Sequence, residues 1–273
     1  MPSVAVTGSF DNLRSQHVRF LEEAAKCGSV HVALWRDETV EELEGAPPKF
    51  TERERAYLLQ SLRFVDHVTL VRGAINPDTL TAFEGAKSDI WIVGEQGDAA
   101  RVRAYAEARG IEYRVMPDAD LSGFPVPAFR PPDFNSPRKR VIVTGCYDWF
   151  HSGHIRFFEE ASELGDLYVV VGHDANIRLL KGDGHPLLSQ SERHYMVNAV
   201  RCVHQAMVST GHGWLDAKPE IALSEPDYYV VNEDGDKPEK RNFCVEHGIE
   251  YVVLKRIPKE GLPRRESTKL RGF

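Results

Sequence analysis

The sequence predicts an α/β protein made of two tandem domains, each a parallel sheet with helices on both faces. Three observations support this prediction: a chain of 273 residues, a long internal repeat, and short apolar runs that alternate with helical patterns. Domains of about 150 residues are common, so the length suits one large domain or two medium ones. The repeat favours two.

The internal repeat relates residues 4–24 to residues 141–161 at an offset of 137 positions. The two segments read VAVTGSFDNLRSQHVRFLEEA and VIVTGCYDWFHSGHIRFFEEA, and 12 of their 21 positions are identical. The match continues further along the chain, where Asp37 aligns with Asp174, Glu54-Arg55 with Glu192-Arg193, and residues 110–113 with residues 248–251. Self-similarity of this extent indicates two copies of one structural unit.

The repeat also predicts the domain boundaries. The first copy spans residues 1–116 and the second spans residues 138–273. Residues 117–137 between them hold six of the sixteen prolines. Because proline lacks a backbone donor and biases its predecessor towards extended conformations, we expect this segment to be a linker or a strap over the surface.

The second copy shows the expected alternation of strands and helices. Its apolar, β-branched runs predict four strands, at residues 141–144, 167–172, 228–231 and 251–254. Its helical patterns fall at residues 155–161, 191–203 and 237–247. Continuous apolar strands separated by helices are typical of a parallel sheet covered on both faces. Ligands of such sheets bind beyond the carboxyl ends of the strands, so the residues after each strand are the candidates for function.

Composition narrows the class of protein. A net charge of −7 argues against a nucleic-acid-binding surface, which needs a basic face. The four cysteines lie far apart without a CxxC pair, so the sequence predicts neither a structural metal site nor a disulfide framework. There is no basic leader before an apolar stretch and no run of about 18 apolar residues. These features predict a cytoplasmic protein that binds neither nucleic acid nor membrane.

The segment after the strand at residues 141–144 carries the chemistry. It reads Gly145-Cys146-Tyr147-Asp148-Trp149-Phe150-His151-Ser152-Gly153-His154 and leads directly into a helical pattern. A helix N-terminus offers free N–H groups and the positive end of the helix dipole, which suits a phosphate. His151 and His154 can face the same anion, and Gly153 allows a close backbone approach.

These residues resemble the signature G-x-F-D-x-x-H-x-G-H of the cytidylyltransferase-like nucleotidylyltransferases. The resemblance covers residues 140–273 well and residues 3–116 in weaker form. Residues 174–182 are most similar to the adenylyltransferase domain of ADP-heptose synthesis, whereas the tandem arrangement is similar to that of phosphoethanolamine cytidylyltransferase. The resemblance implies two tandem Rossmann-like nucleotidylyltransferase domains, and it leaves CTP and ATP open as the nucleotide.

The implied reaction joins a small phosphate monoester to the α-phosphorus of CTP or ATP, brought in with Mg²⁺, and releases pyrophosphate. The acceptor is then a sugar, polyol or amino-alcohol phosphate. By carry-over from the family, the catalytic residues are His151, His154, Lys181 and Thr268. Nucleotide-binding residues are expected at Gly145, Cys146, Tyr147, Asp148, Gly153, Asp174, Asn232, Glu233, Ser267 and Lys269. Lys181, on a loop after a strand, and Arg201 are expected to bind the acceptor, and no resident metal ligands are expected.

The first copy lacks most of these residues and is expected to be inactive. Arg14 stands at the position of His151, Gln16 at that of Gly153 and Glu44 at that of Lys181, so that only His17 remains of the histidine pair. Many members of the family dimerise beside the histidine motif, so we expect the two copies to pack as an internal pseudo-dimer. A homo-oligomer stays open, and so does a non-catalytic regulator that binds a nucleotide without turnover.

Overall fold

The chain forms two compact α/β units, residues 1–123 and residues 124–273. The structure is a computed structural model that describes residues 1–71, 88–267 and 270. Among the described residues, each unit holds a five-stranded sheet in which all strand pairs are parallel. The predicted fold class is therefore confirmed. Within the described residues, none of the helices combines the length and the apolar character that a bilayer span requires.

In the first unit the strand order is β3-β2-β1-β4-β5. Its strands are β1 (Ser3–Gly8), β2 (Ser29–Trp35), β3 (His67–Val71), β4 (Ile90–Gly94) and β5 (Glu112–Met116). Its described helices are α1 (Ser15–Ala25), α2 (Asp37–Glu44), α3 (Glu52–Gln60) and α4 (Ala100–Glu107).

In the second unit the strand order is β10-β9-β6-β7-β8, which is the same topology. Its strands are β6 (Arg140–Gly145), β7 (Asp166–Val171), β8 (Val203–Val208), β9 (Tyr228–Asn232) and β10 (Glu250–Leu254). Its described helices are α5 (Ser152–Ser162), α6 (Asp174–Lys181), α7 (Gln190–Asn198), α8 (Lys218–Ser224) and α9 (Pro238–His247).

The strand β8 corrects the sequence interpretation. The predicted helix at residues 191–203 ends at Asn198, and a turn leads into a strand from Val203 to Val208. The apolar residues Ala199 and Val200 extend the helical spacing of α7, and both are buried in the core. Because the run after them is short and partly polar, its pattern does not separate a strand from the end of a helix.

The order of the strands shows where a ligand site is expected at the edge of the sheet. From β6 the chain runs to β7 and β8 on one side and then returns to β9 and β10 on the other, so a topological switch point lies between β6 and β9. Right-handed crossovers put the helices of the two halves on opposite faces of the sheet. One face carries α8 and α9, as shown by the buried cluster in which Ile221 and Phe243 pack with Ile142 and Tyr229.

The proline-rich segment packs against the second unit from residue 124 onwards. The ring of Phe124 contacts that of Tyr195, with 6.0 Å between centroids. The Gln205 side chain accepts a hydrogen bond from the backbone N–H of Arg130 and donates one to the carbonyl of Ala128. This part of the segment therefore forms a strap over its own unit.

Candidate active site

A cavity of about 450 Å³ opens beyond the carboxyl ends of β6, β7 and β9. This volume is in the range of pockets that hold small ligands. Ten residues predicted from the sequence line it: Gly145, Cys146, Tyr147, Asp148, His151, Gly153, His154, Lys181, Asn232 and Ser267. The structure thus brings most of the predicted residues together at the edge of the sheet where a parallel fold binds ligands.

His151 begins the helix α5 as its N-terminal cap. Its Nδ1 accepts a hydrogen bond from the backbone N–H of Gly153 at 3.1 Å, so the proton of the neutral ring lies on Nε2. That Nε2 is 3.3 Å from Ser267 Oγ, and the Ser267 hydroxyl donates to the carbonyl of Trp149. A Cβ at Gly153 would lie only 3.0 Å from the His151 ring, which explains the glycine.

His154 stacks on His151 one turn into the helix. The ring centroids are 3.9 Å apart and the planes are inclined by 18°. Phe150 also stacks on His154, and Tyr147 meets it edge-on. Among the described residues the buried Nδ1 of His154 has no hydrogen-bond partner. The ring is therefore oriented by aromatic packing, which leaves its polar atoms for a ligand.

Both histidines are neutral at pH 7. Burial, followed by the charges of Arg256 and Arg265, lowers the pKa of His151 to about 3. Burial also holds the pKa of His154 well below its usual value, with further contributions from His151, Arg256 and Lys181. The imidazoles can therefore donate hydrogen bonds to phosphoryl oxygens, while the positive charge of the site comes from the neighbouring cations.

The loop between β6 and α5 is shaped by Gly145 and Tyr147. Tyr147 has a φ of 53°, in the left-handed region that side chains other than glycine seldom adopt. Its ring folds back over Gly145, where a Cβ would lie 2.7 Å from Tyr147 Cζ. The glycine that ends β6 is therefore required by the packing of the tyrosine.

Asp148 and Arg193 brace this loop. Asp148 Oδ1 accepts hydrogen bonds from the backbone N–H groups of Leu187 and Leu188, at 2.7 and 2.9 Å. The fully buried guanidinium of Arg193 donates to the carbonyl of Cys146 at 2.6 Å and to Asp174 Oδ1 at 2.7 Å. Removing a partner from this network would leave buried polar groups without hydrogen bonds, which is destabilising.

Three predicted residues do not line the cavity. Asp174 is paired with Arg193. Glu233 follows β9 but lies beside Arg264, with 4.0 Å between the charged atoms. Arg201 is exposed and precedes β8, so it lies at the amino edge of a sheet whose carboxyl edge forms the cavity. Two further predicted residues, Thr268 and Lys269, lie outside the described residues.

Lys181 reaches the cavity from a helix and not from a loop, which corrects the sequence interpretation. It is the last residue of α6. His173 caps the helix at its N-terminus, where its Nδ1 accepts the backbone N–H of Asn176, and Gly182, with a φ of 84°, caps its C-terminus. Because α6 has only eight residues, it is shorter than the window of about 11–18 residues over which helical periodicity is recognised.

The structure adds residues that the sequence interpretation missed. Arg256, two residues after β10, donates hydrogen bonds to Asp234 Oδ2 at 2.6 Å and to the carbonyl of Arg265 at 2.9 Å. Its place after a strand is a signal that could have found it. Trp214 and Asp216 follow the missed strand β8, and Asn176 and Lys240 lie on helices.

Known proteins are similar to this chain in its second half. Residues 142–265 match the family described as Cytidylyltransferase-like. An FAD synthase of Methanocella paludicola is 31% identical over 135 residues, which cover 48% of this chain and 93% of that protein. The bifunctional protein HldE of Helicobacter pylori strain G27 is 31% identical over 127 residues, or 45% of this chain and 27% of HldE.

A solved structure is also similar. The lipopolysaccharide core biosynthesis protein of Thermoplasma volcanium GSS1 aligns with 23% identity and a TM-score of 0.38, covering 45% of this chain and 99% of that chain.

The fold and the histidine site define a nucleotidyltransferase-type protein. The sequence match to nearly the whole FAD synthase, together with the match of residues 142–265, places the chain more narrowly. It belongs to the cytidylyltransferase-like family. The predicted resemblance is thus confirmed. The chain spans about a quarter of the length of the HldE relative, since 27% of that protein is covered.

Proposed function

We propose that the second unit transfers a nucleotidyl group, CMP or AMP, from CTP or ATP to a small phosphate monoester and releases pyrophosphate. The observation that carries this proposal is the stack of two neutral histidines at the N-terminus of α5, inside a cavity of about 450 Å³. The FAD synthase relative makes a product that contains an adenylyl group, so ATP is the first nucleotide to test.

The step is a single displacement. An oxygen of the acceptor phosphate attacks the α-phosphorus, a new P–O bond forms, and the bond to the pyrophosphate oxygen breaks. Pyrophosphate leaves with the bonding electron pair, and no covalent intermediate with the protein is needed. Such reactions depend on positioning and on donors aimed at the phosphoryl oxygens, where negative charge develops.

The residues of the cavity divide these tasks. His151 and His154 donate hydrogen bonds to the phosphoryl oxygens near the free N–H groups of α5. Arg256 supplies a planar guanidinium beside them, and Lys181 supplies a point charge from the end of α6. Ser267, next to His151, is placed to exchange its protein partner for a phosphate oxygen.

The described residues fit Mg²⁺ that arrives with the triphosphate. They contain no group of three or more histidine, cysteine or acidic side chains that could hold a metal. Single carboxylates, Asp216 and Asp234, do line the cavity. Magnesium commonly uses one or two carboxylates and completes its shell with phosphates and water. When bound, the ion would neutralise charge on the leaving pyrophosphate.

Pyrophosphate release tests the proposal. The full-length protein is incubated with Mg²⁺, each of the four nucleoside triphosphates and a panel of sugar, polyol and amino-alcohol phosphates. We expect release only with a matched nucleotide and acceptor. In parallel, a nucleotide at about 100 times its Kd should stabilise the protein by about 2.7 kcal/mol in thermal melting. Stabilisation without release from any acceptor would instead indicate a regulator that binds nucleotide.

A further inference from the structure

Lys240 is a buried lysine in the wall of the cavity that the proposed reaction does not use. It lies in the first turn of α9, with 8% of its surface exposed. Its Nζ is 3.4 Å from Thr144 Oγ1 and 5.5 Å from the centroid of the Tyr229 ring. The Thr144 hydroxyl in turn lies 2.9 Å from the Tyr229 hydroxyl.

The ammonium group has no carboxylate within 4.0 Å among the residues that the structure describes. The two carboxylates whose charges act on Lys240 have other partners: Asp216 accepts from Ser209, and Asp234 is paired with Arg256. Burial lowers the pKa of Lys240, an effect that Asp216 opposes and Lys237 reinforces. A buried cation without a close counter-ion is costly, and an anion supplied by a ligand offsets this cost.

The first unit shows that the fold does not need a lysine at this place. At the offset of 138 that aligns residues 110–113 with residues 248–251, Lys240 corresponds to Val102. Val102 lies in the first turn of α4 and is buried in the core of its unit. The same position of the same fold is therefore filled by an ordinary apolar side chain in one unit and by a cation facing a cavity in the other.

The position of Lys240 separates it from the histidines. Helix α9 packs on the face of the sheet that holds Ile142 and Tyr229, and side chains of a strand alternate between faces, so Thr144 shares that face with Ile142. Helix α5 packs on β6 and β7 on the opposite face. A ligand group at Lys240 thus lies across the strand ends from the phosphates held by α5.

We propose that Lys240 binds a carboxylate of the acceptor, in addition to the phosphate that attacks the nucleotide. This inference rests on the proposed function of the second unit. It narrows the acceptor from any small phosphate monoester to one that carries a further negative charge.

Binding of two matched sugar phosphates tests this subsite. Glucuronic acid 1-phosphate and glucose 1-phosphate differ only by a carboxylate in place of a hydroxymethyl group. We expect calorimetry on the wild-type protein to show at least tenfold tighter binding of the glucuronic acid ester, since a charge-assisted hydrogen bond depends on the carboxylate. A second matched pair, 3-phosphoglycerate and glycerol 3-phosphate, covers smaller acceptors.

Variants of two lysines distinguish direct binding by Lys240 from a general effect of positive charge near the cavity. In Lys240→Met and in Lys240→Val, which copies Val102, we expect the preference to vanish while both proteins remain folded by thermal melting. Lys237→Met removes a nearby cation that lies over the Trp214 ring, and it should keep the preference. Equal affinity within both pairs on the wild type, or a preference that survives in Lys240→Met, would overturn the proposal.

The two proposals fail in different ways. Binding is measured without a nucleotide, so it does not depend on turnover. A tenfold preference that Lys240→Met removes, found without pyrophosphate release from any nucleotide and acceptor, supports the subsite and contradicts the proposed reaction. Release that is equally efficient with glucose 1-phosphate and glucuronic acid 1-phosphate supports the reaction and contradicts the subsite.

Discussion

The two units hold their first loop with the same buried arginine but carry different residues on it. In the first unit Arg55 donates to the carbonyls of Phe50 and Ser9 and to Asp37. In the second unit Arg193 donates to the corresponding groups of Leu188, Cys146 and Asp174. Asp11 and Asp148 likewise each accept two backbone N–H groups from the segment before the arginine helix.

The difference begins at the helix that follows the loop. In the second unit, His151 caps its helix and His154 stacks on it. In the first unit, Arg14 takes the capping position, and Nδ1 of His17 accepts the backbone N–H of Arg14 at 3.1 Å. The one remaining histidine is thus occupied by its own helix. The contacts that hold the loop are therefore kept in both units, while the residues proposed for chemistry are present in only one of them.

The largest expected effect is that of removing the second histidine of the pair. His154→Ala should lower the rate of pyrophosphate release by about 10²–10³, or about 2.7–4 kcal/mol, as expected for one lost donor to a phosphoryl oxygen. The matched variant His17→Ala should leave the rate nearly unchanged. Steady-state kinetics on both proteins measures this, and equal losses would contradict the assignment of activity to the second unit.

Removal of the shared arginine should affect both units alike. Arg55→Met and Arg193→Met each leave buried carbonyls without donors, and we expect each to lower the free energy of unfolding of its unit by about 2–3 kcal/mol. Hydrogen exchange in increasing denaturant resolves the two units. If only one variant is destabilised, the two networks are not equivalent.

A smaller effect is expected from the titration of His151. Its pKa is about 3 in the folded protein and about 6.5 when unfolded, so between these values only the unfolded state binds the proton. The free energy of unfolding therefore falls as the pH falls through this window. Between pH 7 and pH 5, the free energy of unfolding of the wild type should fall by about 2 kcal/mol more than that of His151→Gln.

Chemical denaturation at the two pH values checks this prediction. Burial also lowers the pKa of His17, so the first unit should show an acid dependence of the same sign. His17→Gln is the matched control for that unit. If acidification lowered the free energy of unfolding equally in the wild type and in His151→Gln, then His151 would have the same pKa in the folded and unfolded states.

Much of the fold and part of the site follow from local patterns. The repeat predicted two α/β units, and the glycine and histidines after a buried strand predicted the edge where the cavity lies. The strand β8 was missed because its short run continues from a helix whose end is apolar. Trp214 and Asp216, which follow that strand, were missed with it.

Charged residues were harder to place. Asp174 aligns with Asp37, and each is the partner of a buried arginine, so their repetition is explained by a shared structural contact, while the nucleotide-binding role of Asp174 stays a prediction. Arg201 lies before a strand and Arg256 lies after one, and only the second lines the cavity. Both are arginines near a strand in the sequence. Because one precedes its strand and the other follows its strand, they lie at opposite edges of the parallel sheet.

By itself, the sequence determined the duplication, the fold class, the family and the histidine motif, because each of these can be read from the order of residues within short segments, without knowing which segments meet in space. The sequence already placed Lys181 at the site, and only the tertiary structure showed that Arg256 and Lys240 share the cavity with the motif. Lys181, Lys240 and Arg256 come from three separate elements, and they meet because parallel strands end at one edge of the sheet. The structure also decided the charge of the histidines, since burial keeps both of them neutral.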